Sequence, residues 1–138
     1  SLLTGRNYRN LRMAKAETNI LKRVMVAISS VSRVFRNNVG LFTTDTGDKI
    51  RTGLCKGSSD LIGWTTIEVT PEMVGARVGL FVGIEIKSVR GRPSAEQTNF
   101  INQVNGAGGV AFIVRSPDEA LAKLTQGIER VKMGEPRV

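Results

Sequence analysis

The sequence predicts a single α/β domain in which a central mixed sheet is flanked by helices, in the order helix, three strands, helix, strand, helix. Three observations lead there. Apolar residues recur at helical spacing between Ile20 and Val31 and again between Gln97 and Val104, and β-branched stretches bounded by turn residues lie between them. One late stretch, GGVAFIV at 108–114, is apolar on both faces, the pattern of a buried parallel strand. With 138 residues the chain can bury a core, and no Pro/Ser-rich linker divides it.

The first helix is expected from Met13 to about Val31, where Ile20, Leu21, Val24, Ile28 and Val31 form one stripe. Glu17 stands four residues before Leu21 and so lies in line with that stripe, a placement that a first-turn preference for acids does not explain. Residues 1–12 read as a basic N-terminal arm or a segment carried over from cloning, with Met13 a candidate initiator and the domain proper spanning 13–138. VFRNNVGLFTT (34–44) is a strand interrupted by the turn-prone Asn37-Asn38, and TDTGDK is a turn. After the small-residue loop GLCKGSS come two strands, DLIGWTTIEV (60–69) and VGLFVGIEIKSV (78–89), expected to pair as an antiparallel hairpin across TPEMVGA.

Ser94-Ala-Glu-Gln97 has the spacing of a capping box, and Gln97, Phe100, Ile101 and Val104 share one face of the helix it opens. Gly106 to Gly109 stop that helix. Ser116-Pro-Asp-Glu119 begins the last one, with serine as N-cap, proline at the first position and acids at the positive end.

Composition narrows the chemistry. The chain has no histidine, which excludes Ser-His-Asp and Cys-His nucleophiles, histidine zinc sites and a histidine general base. Catalysis, if present, must rest on carboxylates, lysine and a hard metal ion. The net charge is +8, and residues 1–40 carry eight Lys/Arg against the single Glu17, a balance of +7. Such a segment suits a polyanion such as nucleic acid, the alternative being a solubilising face. No apolar run of transmembrane length and no signal-peptide pattern is present, so a soluble, intracellular protein with no membrane partner is expected; the lone Cys55 agrees.

The central puzzle is Glu85 and Lys87. A strand's period of two puts them on one face with Phe81 and Gly83, while Val82, Ile84 and Ile86 form the other. A structural ion pair on an open sheet face is the commonest explanation of such spacing taken alone. Asp60, at a loop-to-strand junction one expected hairpin upstream, adds a second carboxylate, and Mg²⁺ favours one or two carboxylates completed by water and phosphate oxygens. Asp60 alone can also be an Asx turn or loop cap.

GSSDLIG (57–63), IEIKS (84–88) and GRPSAEQTNFINQVNGAGGVAFIVRS (91–116), together with Glu17, Ile20 and FRNNVG (35–40), resemble the VRR-Nuc domain, a branch of the PD-(D/E)-x-K nuclease superfamily. The resemblance runs over nearly the whole chain from about residue 13. It implies the restriction-endonuclease-like fold and a metal-dependent DNA endonuclease. By the same resemblance Asp60 and Glu85 bind Mg²⁺ or Mn²⁺ and the Ile86 carbonyl is a third ligand. Lys87 orients or deprotonates the attacking water, Gln97 faces the site, and Glu17 assists the metal through water. Two positions depart from the pattern: Ser59 replaces the nominal proline, and the arginine pair of the family name is Val114-Arg115-Ser116.

Arg33, Arg36 and Arg115 are candidate DNA contacts, and no recognition helix or base-reading motif is apparent, so affinity is expected to come from phosphates. Stand-alone, phage-type members of the family imply a homodimer acting on branched DNA such as four-way junctions, encoded by a phage or prophage and working in a bacterial cytoplasm. The alternatives are a monomeric flap or nicking nuclease, a non-catalytic basic DNA-binding module, and an unrelated α/β interaction protein.

Overall fold

Asn37 ends one strand and Asn38-Val39 carry the chain into another, and this break decides much of the N-terminal architecture in the computed structural model, which describes residues 5–134. Among the described residues the chain is mixed α/β, with three α-helices and three two-stranded sheets. It divides into two compact units, Ser1–Thr65 and Thr66–Val138.

In the N-terminal unit, α1 spans Gly5–Ile28 and starts eight residues before the expected Met13. Residues 5–12 are therefore helical, because Arg6, Arg9, Leu11 and Arg12 are strong helix formers and no breaker intervenes after Gly5. The arm's first four residues lie outside the described part. The helix stops at Ile28 rather than Val31, where the Ser29 hydroxyl donates to the Val26 carbonyl at 2.7 Å and Ser32 N–H closes on Ile28 O at 2.9 Å.

The expected interrupted strand is two strands with different partners. β1 (Arg33–Arg36) pairs antiparallel with β4 (Leu61–Trp64), while β2 (Gly40–Thr43) pairs with β3 (Lys49–Thr52) across the Thr44–Asp48 turn. β3 was not expected from the sequence. Gly63 sits opposite Val34 where a Cβ would collide with the Arg33 carbonyl, so only glycine lets β1 and β4 approach here. Phe35 and Trp64 add a tilted ring contact with centroids 5.6 Å apart.

Among the described residues the ladders are three two-stranded pairs, and the expected antiparallel pairing of DLIGWTTIEV with VGLFVGIEIKSV is not among them: β4 pairs with β1 and the strand at 82–86 with that at 110–114. TPEMVGA winds into a 3₁₀ turn at Pro71–Met73, with Val74 N–H bonded to Pro71 O at 3.2 Å.

In the C-terminal unit, β5 (Val82–Ile86) pairs in parallel with β6 (Val110–Val114), as the GGVAFIV pattern predicts. α2 (Ala95–Gly106) and α3 (Pro117–Met133) begin at Ser94 and Ser116 as expected, and the αL glycine Gly134 closes α3. Val104, Val110, Ala111 and Val114 are the buried core, Val104 at 1% exposure. α2 reaches the face of Gly83, where Phe100 stands at contact distance. α3 reaches Val110 through Gly127, which has no room for a side chain.

Candidate functional site

Two elements build the cluster around Glu85: the strand that carries it and the capping box of the next helix. Ser94 Oγ accepts from Gln97 N–H at 3.1 Å, and Gln97 Oε1 accepts from Ser94 N–H at 2.9 Å. Because a backbone N–H can only donate, this second bond fixes which end of the Gln97 amide is oxygen. Its Nε2 is thereby aimed outward, and it donates to Glu85 Oε1 at 2.7 Å. Lys87 Nζ reaches the same oxygen at 3.4 Å. Glu85 Oε1 thus takes two donors, and Oε2 is left for another partner among the described residues.

This face of β5 is the covered one. Lys87 and Glu85 side chains are 20% and 31% exposed, whereas Val82, Ile84 and Ile86 on the opposite face are 43%, 45% and 76% exposed. An ion pair on an open sheet face, the ordinary account of this spacing, would show the reverse. Gly83, which carries no side chain, makes space beside Phe100 for the covered row.

The Ile86 carbonyl has a direction of its own. Val110 N–H bonds Phe81 O at 2.9 Å and Lys87 N–H bonds Val114 O at 3.0 Å, so the odd-numbered residues of β5 face β6. Strand alternation turns the Ile86 carbonyl to the other edge of β5, which carries no ladder among the described residues. The far edge of β6 is occupied by side chains instead: Asn105 donates to Ala111 O at 2.9 Å and accepts from Ala111 N–H at 2.8 Å, and Lys123 donates to Ile113 O at 2.7 Å. Glu85 Oε2 and the Ile86 carbonyl are hard oxygen donors from adjacent residues, a partial set that fits a Mg²⁺- or Mn²⁺-type ion. Among the described residues no group of three or more Cys, Asp and Glu is placed to hold a metal.

Arg115 lies in the same unit. Its Nη2 donates to Gly91 O at 2.8 Å and its backbone N–H donates to Glu119 Oε2 at 2.8 Å. Lys123 first, and the Arg115 N–H second, hold the Glu119 carboxyl below its ordinary range.

Asp60, Glu17, Arg33 and Arg36 belong to the N-terminal unit. Asp60 is exposed at the entrance to β4, and its carbonyl accepts from Asn37 N–H at 2.8 Å. The Asn37 side chain holds the loop leading there: its Nδ2 donates to Ser58 Oγ at 2.7 Å and Ser59 O at 2.9 Å, and its Oδ1 accepts from Leu54 N–H at 3.0 Å. Asn37 was read from sequence only as a turn residue; nothing local announces partners so far along the chain. Ser94 was legible as a cap, but not as the residue that orients Gln97 toward Glu85. Glu17 is exposed on α1, Arg36 is exposed on β1, and Arg33 lies over the Phe35 ring at 5.8 Å.

No helix among the described residues is long and apolar enough to cross a membrane. No known protein-family profile, curated protein or solved structure matches the chain.

Proposed function

We propose that the chain is a metal-dependent DNA endonuclease of the PD-(D/E)-x-K type, VRR-Nuc branch, using Mg²⁺ or Mn²⁺. The observation that carries this reading is the Glu85 carboxylate on the helix-covered face of β5, one oxygen held by Lys87 and Gln97 and the other left for a cation. Asp60 is assigned as the second acidic ligand, and Glu17 as a water-mediated one, on the sequence resemblance alone.

A bound divalent ion supplies hydroxide near neutral pH and neutralises charge growing on the phosphate. The chain's own residues do the rest. Gln97 fixes the rotamer of Glu85, so that the carboxylate need not be ordered when the ion arrives. Lys87 holds its ammonium beside that carboxylate, where it can orient water and stabilise the phosphate's added charge. The basic surface supplies phosphate contacts, with Arg33, Arg36 and Arg115 among them. The assembly proposed is a homodimer acting on branched DNA, because paired incisions at a four-way junction are related by the same twofold symmetry as a closed dimer.

Labelled duplex, flap and four-way junction DNA incubated with Mg²⁺, Mn²⁺ or EDTA tests the reaction, and light scattering tests the assembly. Metal-dependent cleavage by the wild type that survives in Lys87→Ala at full rate would remove Lys87 from the chemistry. Binding without cleavage under every metal condition would favour the non-catalytic DNA-binding module.

A further inference from the structure

We infer that α1 is a phosphate-backbone docking helix for duplex DNA, contacting it through the arc Arg9, Arg12, Lys15, Lys22 and Arg23. The choice of DNA as the polyanion rests on the nuclease reading; the placement of the surface does not. Steps of three, seven and eleven residues connect Arg9 to Arg12, Lys15 to Lys22 and Arg12 to Arg23, and these are the steps that return to one side of a helix. All five side chains are exposed. The half-covered residues Leu21, Met25 and Ile28, spaced four and three apart, mark the opposite side. Glu17, the one acid between residues 5 and 28, falls four residues before Leu21 and so outside the basic arc.

A charged arc by itself is an ordinary solvated helix face, but three features separate this one from that. It has five cations and no anion, so no i,i+4 pairs neutralise it as they do at Glu119–Lys123 on α3. None of its cations makes an ion pair among the described residues, where the three ion pairs present all lie after residue 84. And its length matches a duplex: Arg9 to Arg23 spans about 21 Å of helix axis, close to six phosphates of one strand at roughly 3.4 Å each. An anionic membrane is the competing polyanion. Interfacial helices of that kind gather their exposed apolar residues in one stripe opposite their lysines, whereas α1 has neither Trp nor Phe and its exposed apolar side chains are divided, Tyr8 and Val26 within the basic arc and Met13, Ile20 and Val24 outside it.

Fluorescence anisotropy with a labelled 30-base-pair duplex in EDTA, over a salt series, tests the docking helix apart from catalysis. The variant carrying Arg9→Gln, Arg12→Gln and Arg23→Gln should bind at least about tenfold more weakly near 100 mM salt, with the log–log salt slope shallower by about two to three. The corresponding triple lysine variant keeps the charge and should bind like wild type. A charge-matched control, Arg77→Gln, Arg130→Gln and Lys132→Gln, removes three exposed cations from the other unit and should change the slope by less than about one. Far-ultraviolet circular dichroism checks that α1 persists, which glutamine favours. Equal losses in the α1 and control variants, or no loss in either, would overturn the inference. So would α1-dependent binding to phosphatidylserine vesicles with undiminished DNA binding. Absence of metal-dependent cleavage would sink the nuclease reading while leaving this binding result to stand or fall separately.

Discussion

In the unit from Thr66 onward, Val104, Val110, Ala111 and Val114 are buried among a parallel strand pair and its two helices, whereas the described residues up to Thr65 include no fully buried side chain and are organised by hydrogen bonds such as those of Asn37. The two acids proposed to serve one metal are thus positioned by different physics. Glu85 is held by a capped helix packed over its strand, where displacement would open a core. Asp60 is held by a loop whose backbone is tied to one asparagine, where displacement costs only hydrogen bonds that water can replace. Glu85 is thereby held rigidly within its own unit and Asp60 more adjustably within its own.

The largest effect should come from the acids. Glu85→Ala and Asp60→Ala should each lower the cleavage rate by at least about a hundredfold, roughly 3 kcal/mol of transition-state stabilisation, while DNA binding in EDTA persists. The double variant should be no worse than the weaker single one, because ligands of one ion act as a unit. Additive losses, or a variant with wild-type turnover, would mean that the two acids do not share a function.

Next in size is stability. Val104→Ala should destabilise the protein by about 2 kcal/mol, since it empties a fully buried site next to Gly109 and β6. Ile20→Ala, at an exposed position of α1, should cost less than about 0.5 kcal/mol. Urea midpoints at unchanged m-value measure both. A larger cost at Ile20 than at Val104 would reverse the comparison of the two units.

Smaller still are the two polar devices. Ser94→Ala removes the side-chain half of the capping box and should cost about 1 kcal/mol, and it should also slow cleavage by loosening the amide that aims at Glu85. Asn37→Ala should cost a similar 1 to 2 kcal/mol, with hydrogen exchange accelerated in residues 53–60 and nowhere in β5 or β6. Protection lost in both units alike would show that Asn37 does more than hold the Asp60 loop.

What could be read from the sequence follows the same division. α2, β6 and α3 are written in local rules: Ser94 with Gln97, Ser116 with Pro117, and an apolar run preceded by glycines need no distant partner to be recognised. The face shared by Glu85 and Lys87 also follows from strand parity, but which face is covered depends on where Phe100 and Val104 bring α2, and parity carries no such information. β3 escaped because Lys-Ile-Arg-Thr has no apolar alternation and exists through its pairing with β2. The partner of β4 escaped because the close approach at Gly63 and the Phe35–Trp64 contact join residues almost thirty apart, as does the reach of Asn37 toward Ser58 and Ser59 over a shorter span.

The smallest effect concerns acid. Lys123 pairs with Glu119 at 2.8 Å, and the Arg115 N–H donates to the same carboxylate, which fastens the start of α3 to the end of β6. These partners favour the ionised form, so the folded-state pKa of Glu119 lies below the ordinary 4.5 of the unfolded chain. The sign is then fixed: the stabilisation is fully present above the unfolded value and is lost as pH falls through the lower folded one. Because the two side chains remain 38% and 33% exposed, salt should screen the effect and its size should be small. Glu119→Gln should therefore be slightly less stable than wild type at pH 7 in low salt, and the gap in urea midpoint should narrow as pH falls from the unfolded value through the lowered folded one, neutralising the wild-type carboxyl. Hydrogen exchange should localise that loss to the β6–α3 junction. A gap that widens on acidification would mean that Glu119 is destabilising when charged, and acid loss centred on residues 53–60 instead would move the pH-sensitive point into the N-terminal unit.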